Sequence, residues 1–154
     1  MPQLTMSYKK TLKLTNVIVT ELVYDAGSKT ELIIEQMENF IKSKGVQPIG
    51  PHIQYTDQNK GSNSDIDITF MLMRQATGYI NHIEKPYEIK SIIKIPNCLY
   101  IRYCGSSEKM KFAYDKLILT AYEEDIPLKG NSYTIFLDEA NDVITVDIFM
   151  ERAD

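Results

Sequence analysis

The run DIDITFMLM at residues 65–73 alternates apolar and polar side chains, and the run TVDIFMER at residues 145–152 repeats that alternation. A shift of 80 positions places Asp67 on Asp147. Successive side chains of a β-strand point to opposite faces, so each run predicts an antiparallel strand with one apolar face and one mixed face.

The same elements precede each run. In the first half, residues 12–24 are rich in β-branched side chains and predict a strand. Residues 30–44 then carry one apolar helical stripe that ends at Gly45. In the second half, residues 89–103 predict a strand, and Met110 to Ala121 a second helix with one apolar stripe. The order strand, helix, strand, strand therefore occurs twice, which indicates an internal duplication with pseudo-repeats at about 12–74 and 90–152.

The predicted fold depends on which apolar faces of the sheet the two helices can bury. A helix with a single apolar stripe can cover only one face of a sheet. We therefore predict an α+β fold in which duplicated β-α-β-β units form an antiparallel sheet with two helices on one face. The 154 residues fit a single domain that spans 1–154.

Composition and charge exclude several classes of partner. The formal net charge is -4 and the lysines are scattered, which argues against nucleic acid binding. No apolar run approaches the roughly 18 residues of a membrane span, and residues 1–13 lack the apolar core of a signal peptide, so we expect a cytoplasmic protein without a membrane contact. Cys98 and Cys104 would lie about 20 Å apart in an extended strand, so we predict two free thiols.

The mixed face of the predicted sheet has two interpretations. It is either a solvated sheet surface or the wall of a cleft between the two halves, where aromatic rings and a few polar groups would hold a ligand. A carboxylate beside tyrosines would favour a lipophilic cation. The phase of residues 99–103 stays open, with Tyr100 and Arg102 on one face and Tyr103 on the other. The candidate ligand-binding residues are Tyr24, Asp67, Thr69, Tyr100, Arg102, Tyr103, Asp147 and Phe149.

Motifs of catalysis and metal binding are missing from the sequence. His52 and His82 have no Cys, Asp or Glu at the usual metal-ligand spacing. There is no Gly-x-Ser-x-Gly motif and no glycine-rich phosphate loop that leads into a helix. We predict no metal, no cofactor and no assigned catalytic residue, which favours a protein that is not an enzyme but leaves enzymatic activity open.

Three stretches are similar to one known family: IPNCLYIRYCGS at 95–106, AYDKL at 113–117 and VDIFM at 146–150. They resemble the second half of the GyrI-like small-molecule-binding family, which includes the effector-binding domains of AraC-type and BmrR-type regulators. The resemblance covers about 10–151. It implies a pseudo-twofold sheet with two helices on one face, and a cleft in which an acidic residue and tyrosines bind drugs or other effectors.

Residue by residue, the resemblance places Asp147 at the acidic position of the last strand and Asp67 at its counterpart. The chain departs from the family in two places: residues 132–134 lie where many relatives have a glutamate in the strand before the last, and Glu151 replaces a typical proline after the last strand. Regulators of this kind add a helix-turn-helix segment, for which this chain has no room, so we expect a stand-alone bacterial protein.

Three functions remain open from the sequence. The first is a stand-alone binding protein for a small hydrophobic or cationic ligand, held between the halves. The alternative is an accessory protein of a bacterial operon that binds a protein partner or a second copy, since the chain also resembles small proteins encoded beside secreted-toxin operons. The third is a hydrolase of small electrophiles that uses Asp147 with Tyr100 or Tyr103.

Overall fold

The computed structural model of this chain describes residues 3–22, 30–60 and 66–154. Within these ranges the chain forms six strands and two α-helices. They are β1 (Gln3–Leu22), α1 (Thr30–Ser43), β2 (Pro48–Lys60), β3 (Ile66–Ala76), β4 (Glu88–Ser106), α2 (Lys111–Glu123), β5 (Leu128–Ala140) and β6 (Val143–Arg152). A short 3₁₀ turn at Ser107–Lys109 precedes α2. No helix in the described ranges is long and apolar enough to cross a membrane.

The strands close into a barrel in the order β1-β3-β2-β5-β6-β4, with β4 paired back to β1. All neighbouring strands are antiparallel. The predicted sheet with two helices on one face is therefore wrong. The cause is the length of β1 and β4, which pair from Gln3 opposite Cys104 to Val19 opposite Glu88. That pairing joins the two edges that an open sheet would have exposed, and closure removes them.

Closure turns the two faces of the sheet into an inside and an outside. All six strands contribute side chains to one interior cluster, including Val19, Ile53, Met73, Tyr100 and Phe149. Two separate clusters lie outside the barrel. Met37 and Ile41 of α1 pack on one of them, and Leu117 of α2 packs on the other. The apolar face expected beneath the helices is thus the outer surface, and the mixed face lines the interior.

Two asparagines change the phase of the long strands. Asn16 in β1 and Asn97 in β4 have φ angles of 49° and 57°. Leu12 and Leu14 face the interior before Asn16, and Val17 and Val19 face it after. A left-handed residue can add one position to a strand and invert its alternation, and asparagine tolerates this conformation better than most residues do.

The left-handed positions recur along the chain. Asn16 and Asn97 are 81 positions apart, Gly45 and Asp125 are 80 apart, and Gly50 and Gly130 are 80 apart. Gly45 and Asp125 follow the two helices, and the other two pairs lie in strands. This spacing matches the one on which the predicted duplication rests. Cys98 and Cys104 are free thiols, as predicted.

Candidate functional site

An aromatic row crosses the barrel interior on four neighbouring strands. Tyr100 of β4 lies opposite Phe149 of β6, Phe149 opposite Tyr133 of β5, and Tyr133 opposite Tyr55 of β2. The ring centroids of Tyr100 and Phe149 are 4.9 Å apart, and those of Tyr55 and Tyr133 are 4.7 Å apart. Both pairs are tilted, an arrangement that aromatic quadrupoles favour. Directly opposed residues share a face, so the register gathers the four rings.

One flank of the aromatic row is the Asp147 corner, formed by Tyr100, Arg102 and Asp147. The Tyr100 hydroxyl donates to Asp147 Oδ1 at 2.7 Å. Arg102 donates through Nε to Oδ1 at 2.7 Å and through a terminal nitrogen to Oδ2 at 2.9 Å. The Asp147 side chain is 11% exposed and that of Arg102 51%. This two-pronged pairing compensates the buried carboxylate and orients the Tyr100 ring.

The electrostatics of the Asp147 corner keep the Tyr100 phenol protonated. Burial, together with the hydrogen bond to Asp147, raises the pKa of Tyr100 to about 12. The hydrogen bond to Asp147 likewise raises the pKa of Arg102. At neutral pH the phenol stays protonated and donates its hydrogen to Asp147, so it is not available as a base for the hydrolysis considered from the sequence.

A lysine ammonium group lies against the Tyr100 ring, where a cationic ligand would make the same contact. Lys10 Nζ lies 5.0 Å from the centroid of the Tyr100 ring. A cation at this distance is attracted by the electron-rich face of the ring. With Arg102 on Asp147 and Lys10 on Tyr100, this side of the barrel provides its own positive charges.

The other flank is the Asn131 corner, formed by Tyr55, Asn131, Tyr133 and Glu151. Asn131 Nδ2 donates to Glu151 Oε1 at 3.1 Å and to the Tyr55 hydroxyl at 3.4 Å. Lys129 Nζ donates to Glu151 Oε2 at 2.6 Å. A flipped amide would bring its carbonyl oxygen against the Glu151 carboxylate, so these contacts determine the orientation of Asn131.

That orientation leaves Asn131 Oδ1 buried without a hydrogen-bond partner among the described residues. A buried carbonyl without a donor costs about 1–3 kcal/mol, and such groups are rare in folded proteins. Arg74 Nε, in β3, is the other buried polar atom without a partner in the described ranges. Of the two, only the Asn131 oxygen belongs to the polar groups that flank the aromatic row.

The protonation states of the Asn131 corner follow from burial and from its hydrogen bonds. Burial raises the pKa of Tyr133 and of Tyr55. Burial also tends to raise the pKa of Glu151, but hydrogen bonds from Lys129 and Asn131 outweigh it and lower that pKa below its ordinary value. Asp57 of β2 lies directly opposite Asn131, and its charge and hydrogen bond add to the rise in the pKa of Tyr55. At neutral pH the corner therefore presents two uncharged phenols, the ion-paired carboxylate of Glu151 and the carboxyl group of Asp57.

The structure brings together four of the residues predicted from the sequence: Tyr100, Arg102, Asp147 and Phe149. Tyr103 is buried on the outer face in the cluster beneath α2, and its hydroxyl donates to the Ser106 carbonyl at 2.5 Å. Thr69 lies on β3 opposite Asp57 of β2, which in turn lies opposite Asn131 of β5.

Two predicted residues fall where the structure gives less. Asp67 lies opposite Asn59 in the β2–β3 ladder, and its side chain is outside the described part. Tyr24 lies outside the described residues.

Sequence reasoning missed Tyr55, Tyr133 and Asn131. Their strands were expected, but the register that aligns Tyr133 with Phe149 depends on an irregularity between Phe136 and Asp138. The alternation of residues along β5 does not by itself indicate that shift in register.

Other candidate sites in the described ranges are less developed. A surface depression of about 340 Å³ lies at the β5–β6 hairpin and is lined by Ser107 and by residues 139–144. None of the residues predicted from the sequence lines it. No group of three or more His, Cys, Asp or Glu side chains in the described ranges is placed to hold a metal ion.

Comparison with known proteins assigns no family. No protein-family model matches the chain, and no curated protein matches it. A solved structure from Staphylococcus aureus MU50, described as a "Putative bacterial transcription regulation protein", is similar at a TM-score of 0.44 and 10% identity. That match covers 100% of this chain and 99% of the other. At this level the similarity carries no argument about function.

Proposed function

We propose that this protein binds a neutral aromatic small molecule against the aromatic row, with a hydrogen-bond donor of the ligand on Asn131 Oδ1. The proposal keeps the effector-binding role that the GyrI-like resemblance implies. It moves the ligand from a cleft between two halves of an open sheet to the interior of a closed barrel.

The observation that carries the proposal is the buried Asn131 Oδ1. Two donated hydrogen bonds hold the amide in place, while its carbonyl has no partner among the described residues. An N–H or O–H of a ligand would satisfy this acceptor and recover the free energy lost by burying it. Tyr55 and Asn131 are only half-buried, so this flank of the row is the side from which a ligand reaches it.

The charges on β6 and beside Tyr100 favour a neutral ligand over a cation at those positions. Both interior carboxylates of β6, Asp147 and Glu151, are already ion-paired. The Tyr100 ring already has Lys10 against it. A cationic ligand at Asp147, Glu151 or the Tyr100 ring would have to displace a positive charge already there, whereas a neutral ring can pack on Tyr55 and Tyr133 for about 0.5–1.5 kcal/mol per aromatic pair.

The test is a thermal-shift screen with neutral aromatic compounds and their permanently cationic analogues. Ten tyrosines and no tryptophan make tyrosine fluorescence a second readout. A ligand at 100 times its Kd should raise the free energy of unfolding by about 2.7 kcal/mol. We expect neutral donor-bearing compounds to bind more tightly than their cationic analogues. Tighter binding of the cations would contradict the proposed ligand class, and the absence of any binder would contradict the function.

Three variants locate the ligand, and two of them form a matched pair. Asn131→Leu removes the acceptor and should weaken binding about tenfold or more, the equivalent of about 1.4 kcal/mol. Tyr133→Leu removes an inward aromatic ring, and Tyr103→Leu makes the same change on the outer face. We expect only the inward change to alter affinity, and equal losses in both would place the ligand elsewhere.

A further inference from the structure

Helix α2 exposes apolar side chains on the face turned away from the barrel. Its inner face is buried through Ala113, Leu117 and Ala121. On its outer side the exposed fractions are 51% for Phe112, 54% for Ile118, 57% for Leu119 and 81% for Tyr122. We call these four residues the α2 outer stripe. Phe112, Leu119 and Tyr122 fall on one side of the helix because their spacings are seven and three.

The charges of α2 run against its own dipole. Lys109 and Lys111 lie where the helix begins, together with the single carboxylate of Glu108, and Glu123, Glu124 and Asp125 lie where it ends. Positive charge at a helix N-terminus and negative charge at its C-terminus are both unfavourable for an isolated helix. Helix α1 has the favourable arrangement, with Glu31 in the first turn and Lys42 in the last.

We propose that α2 packs against α2 of a second copy of this chain, antiparallel and across a twofold axis. The basic start of each helix then lies beside the acidic end of the other, and the two helix dipoles oppose each other. The α2 outer stripe becomes buried between the two helices. An arrangement that is unfavourable within one chain becomes favourable between two.

The charge pattern favours a second copy over a partner of another sequence. A twofold interface uses the same patch on both subunits, so the patch must be complementary to itself. The outer side of α2 meets this requirement, because its two ends carry opposite charges and its middle places the exposed Asp115 and Lys116, also opposite in sign, among the apolar side chains of the stripe. The exposed side of α1 does not, since Leu32 is accompanied there by two exposed carboxylates, Glu31 and Glu35.

The test is sedimentation velocity of the full chain from about 1 µM to about 1 mM. We expect a monomer–dimer equilibrium that weakens with salt. Lys109→Glu/Lys111→Glu and Glu123→Lys/Glu124→Lys should each weaken self-association about tenfold or more, since each places like charges at both ends of the interface. An equimolar mixture of the two double variants should restore the dimer, because every end then meets its opposite.

The melting temperature of each variant shows whether it still folds. Each charge reversal improves the match to the helix dipole, so the melting temperature of the monomer should stay level or rise. Glu35 and Glu88 are exposed and lie outside α2. Glu35→Lys/Glu88→Lys makes the same change in net charge as the acidic-end variant and should leave the dimer intact. Leu119→Ser should weaken the dimer with little dependence on salt, because it removes apolar contact rather than charge.

Three results would overturn the proposal. A wild-type chain that stays monomeric over the whole concentration range would mean that the α2 outer stripe does not bind a second copy. A dimer that ignores both double variants would use another surface. Loss of the dimer without restoration in the mixture would mean that the charges do not pair across the interface.

Discussion

The two halves of the barrel share a backbone plan and differ in what they place on it. Within the first half the strand order is β1-β3-β2, and within the second it is β4-β6-β5. The halves join where β2 pairs with β5 and where β1 pairs with β4. Three pairs of left-handed residues recur at spacings of 80 or 81 positions.

The interior side chains of the halves differ more than their backbones. Where β1 carries Val19, β4 carries Tyr100 at the position 81 residues later. Where β3 carries Met71, β6 carries Glu151. The first half thus contributes mostly aliphatic packing, and the second most of the aromatic and polar groups. The backbone requires a side chain of suitable volume that faces inward, so the chemistry of the site can differ while the barrel is kept.

The largest expected effect tests whether the two helices are anchored alike. Met37 of α1 and Leu117 of α2 are 80 positions apart and both fully buried against the barrel. Met37→Ala and Leu117→Ala should each lower the free energy of unfolding by about 2–5 kcal/mol, because each leaves a cavity. Urea unfolding measures the loss, and Leu32→Ala on the exposed side of α1 is the control. A negligible loss at either buried position would break the comparison between the halves.

An intermediate effect tests the two asparagines. Asn16→Val and Asn97→Val should each cost about 1–2 kcal/mol, because a β-branched residue fits a left-handed conformation poorly. Asn16→Gly and Asn97→Gly are the controls, since glycine adopts positive φ freely. Thermal unfolding of the four variants makes the test. If the valine and glycine variants were equally stable at one position, that position would not require a left-handed conformation. The two strands would then not change phase in the same way.

The smallest expected effect is on the pH dependence of stability, and it concerns Glu151, which belongs to the second half only. The folded-state pKa of Glu151 lies below its ordinary value of 4.5, so its ion pair stabilises the protein above that pH and is lost as the pH falls. Glu151→Gln should flatten the stability profile below about pH 4.5 by less than about 1 kcal/mol, since the pair is only partly buried. Chemical unfolding at pH 3 to 7 of the wild type and the variant gives the difference. Glu35→Gln serves as the exposed control, and an equal change there would remove the special role of Glu151.

Local sequence patterns predicted the elements well. The first helix was expected at 30–44 and lies at Thr30–Ser43, and the order of strands and helices follows the predicted one. Alternation also grouped Asp147 and Phe149 on one face, and left Tyr100 with Arg102 on one side of the next strand. These features depend only on periods of 2 and 3.6, which neighbouring residues determine between them.

The closure of the barrel and the make-up of the site were decided by tertiary structure. Alternation states which side of a strand a residue faces, but not which strand lies beside it. The pairing of β1 with β4 joins residues about 70 to 100 positions apart, and it alone turned an open sheet into a barrel. Likewise, Tyr55, Tyr133 and Asn131 join the site through register shifts between strands, which depend on long-range packing and leave no local period in the sequence.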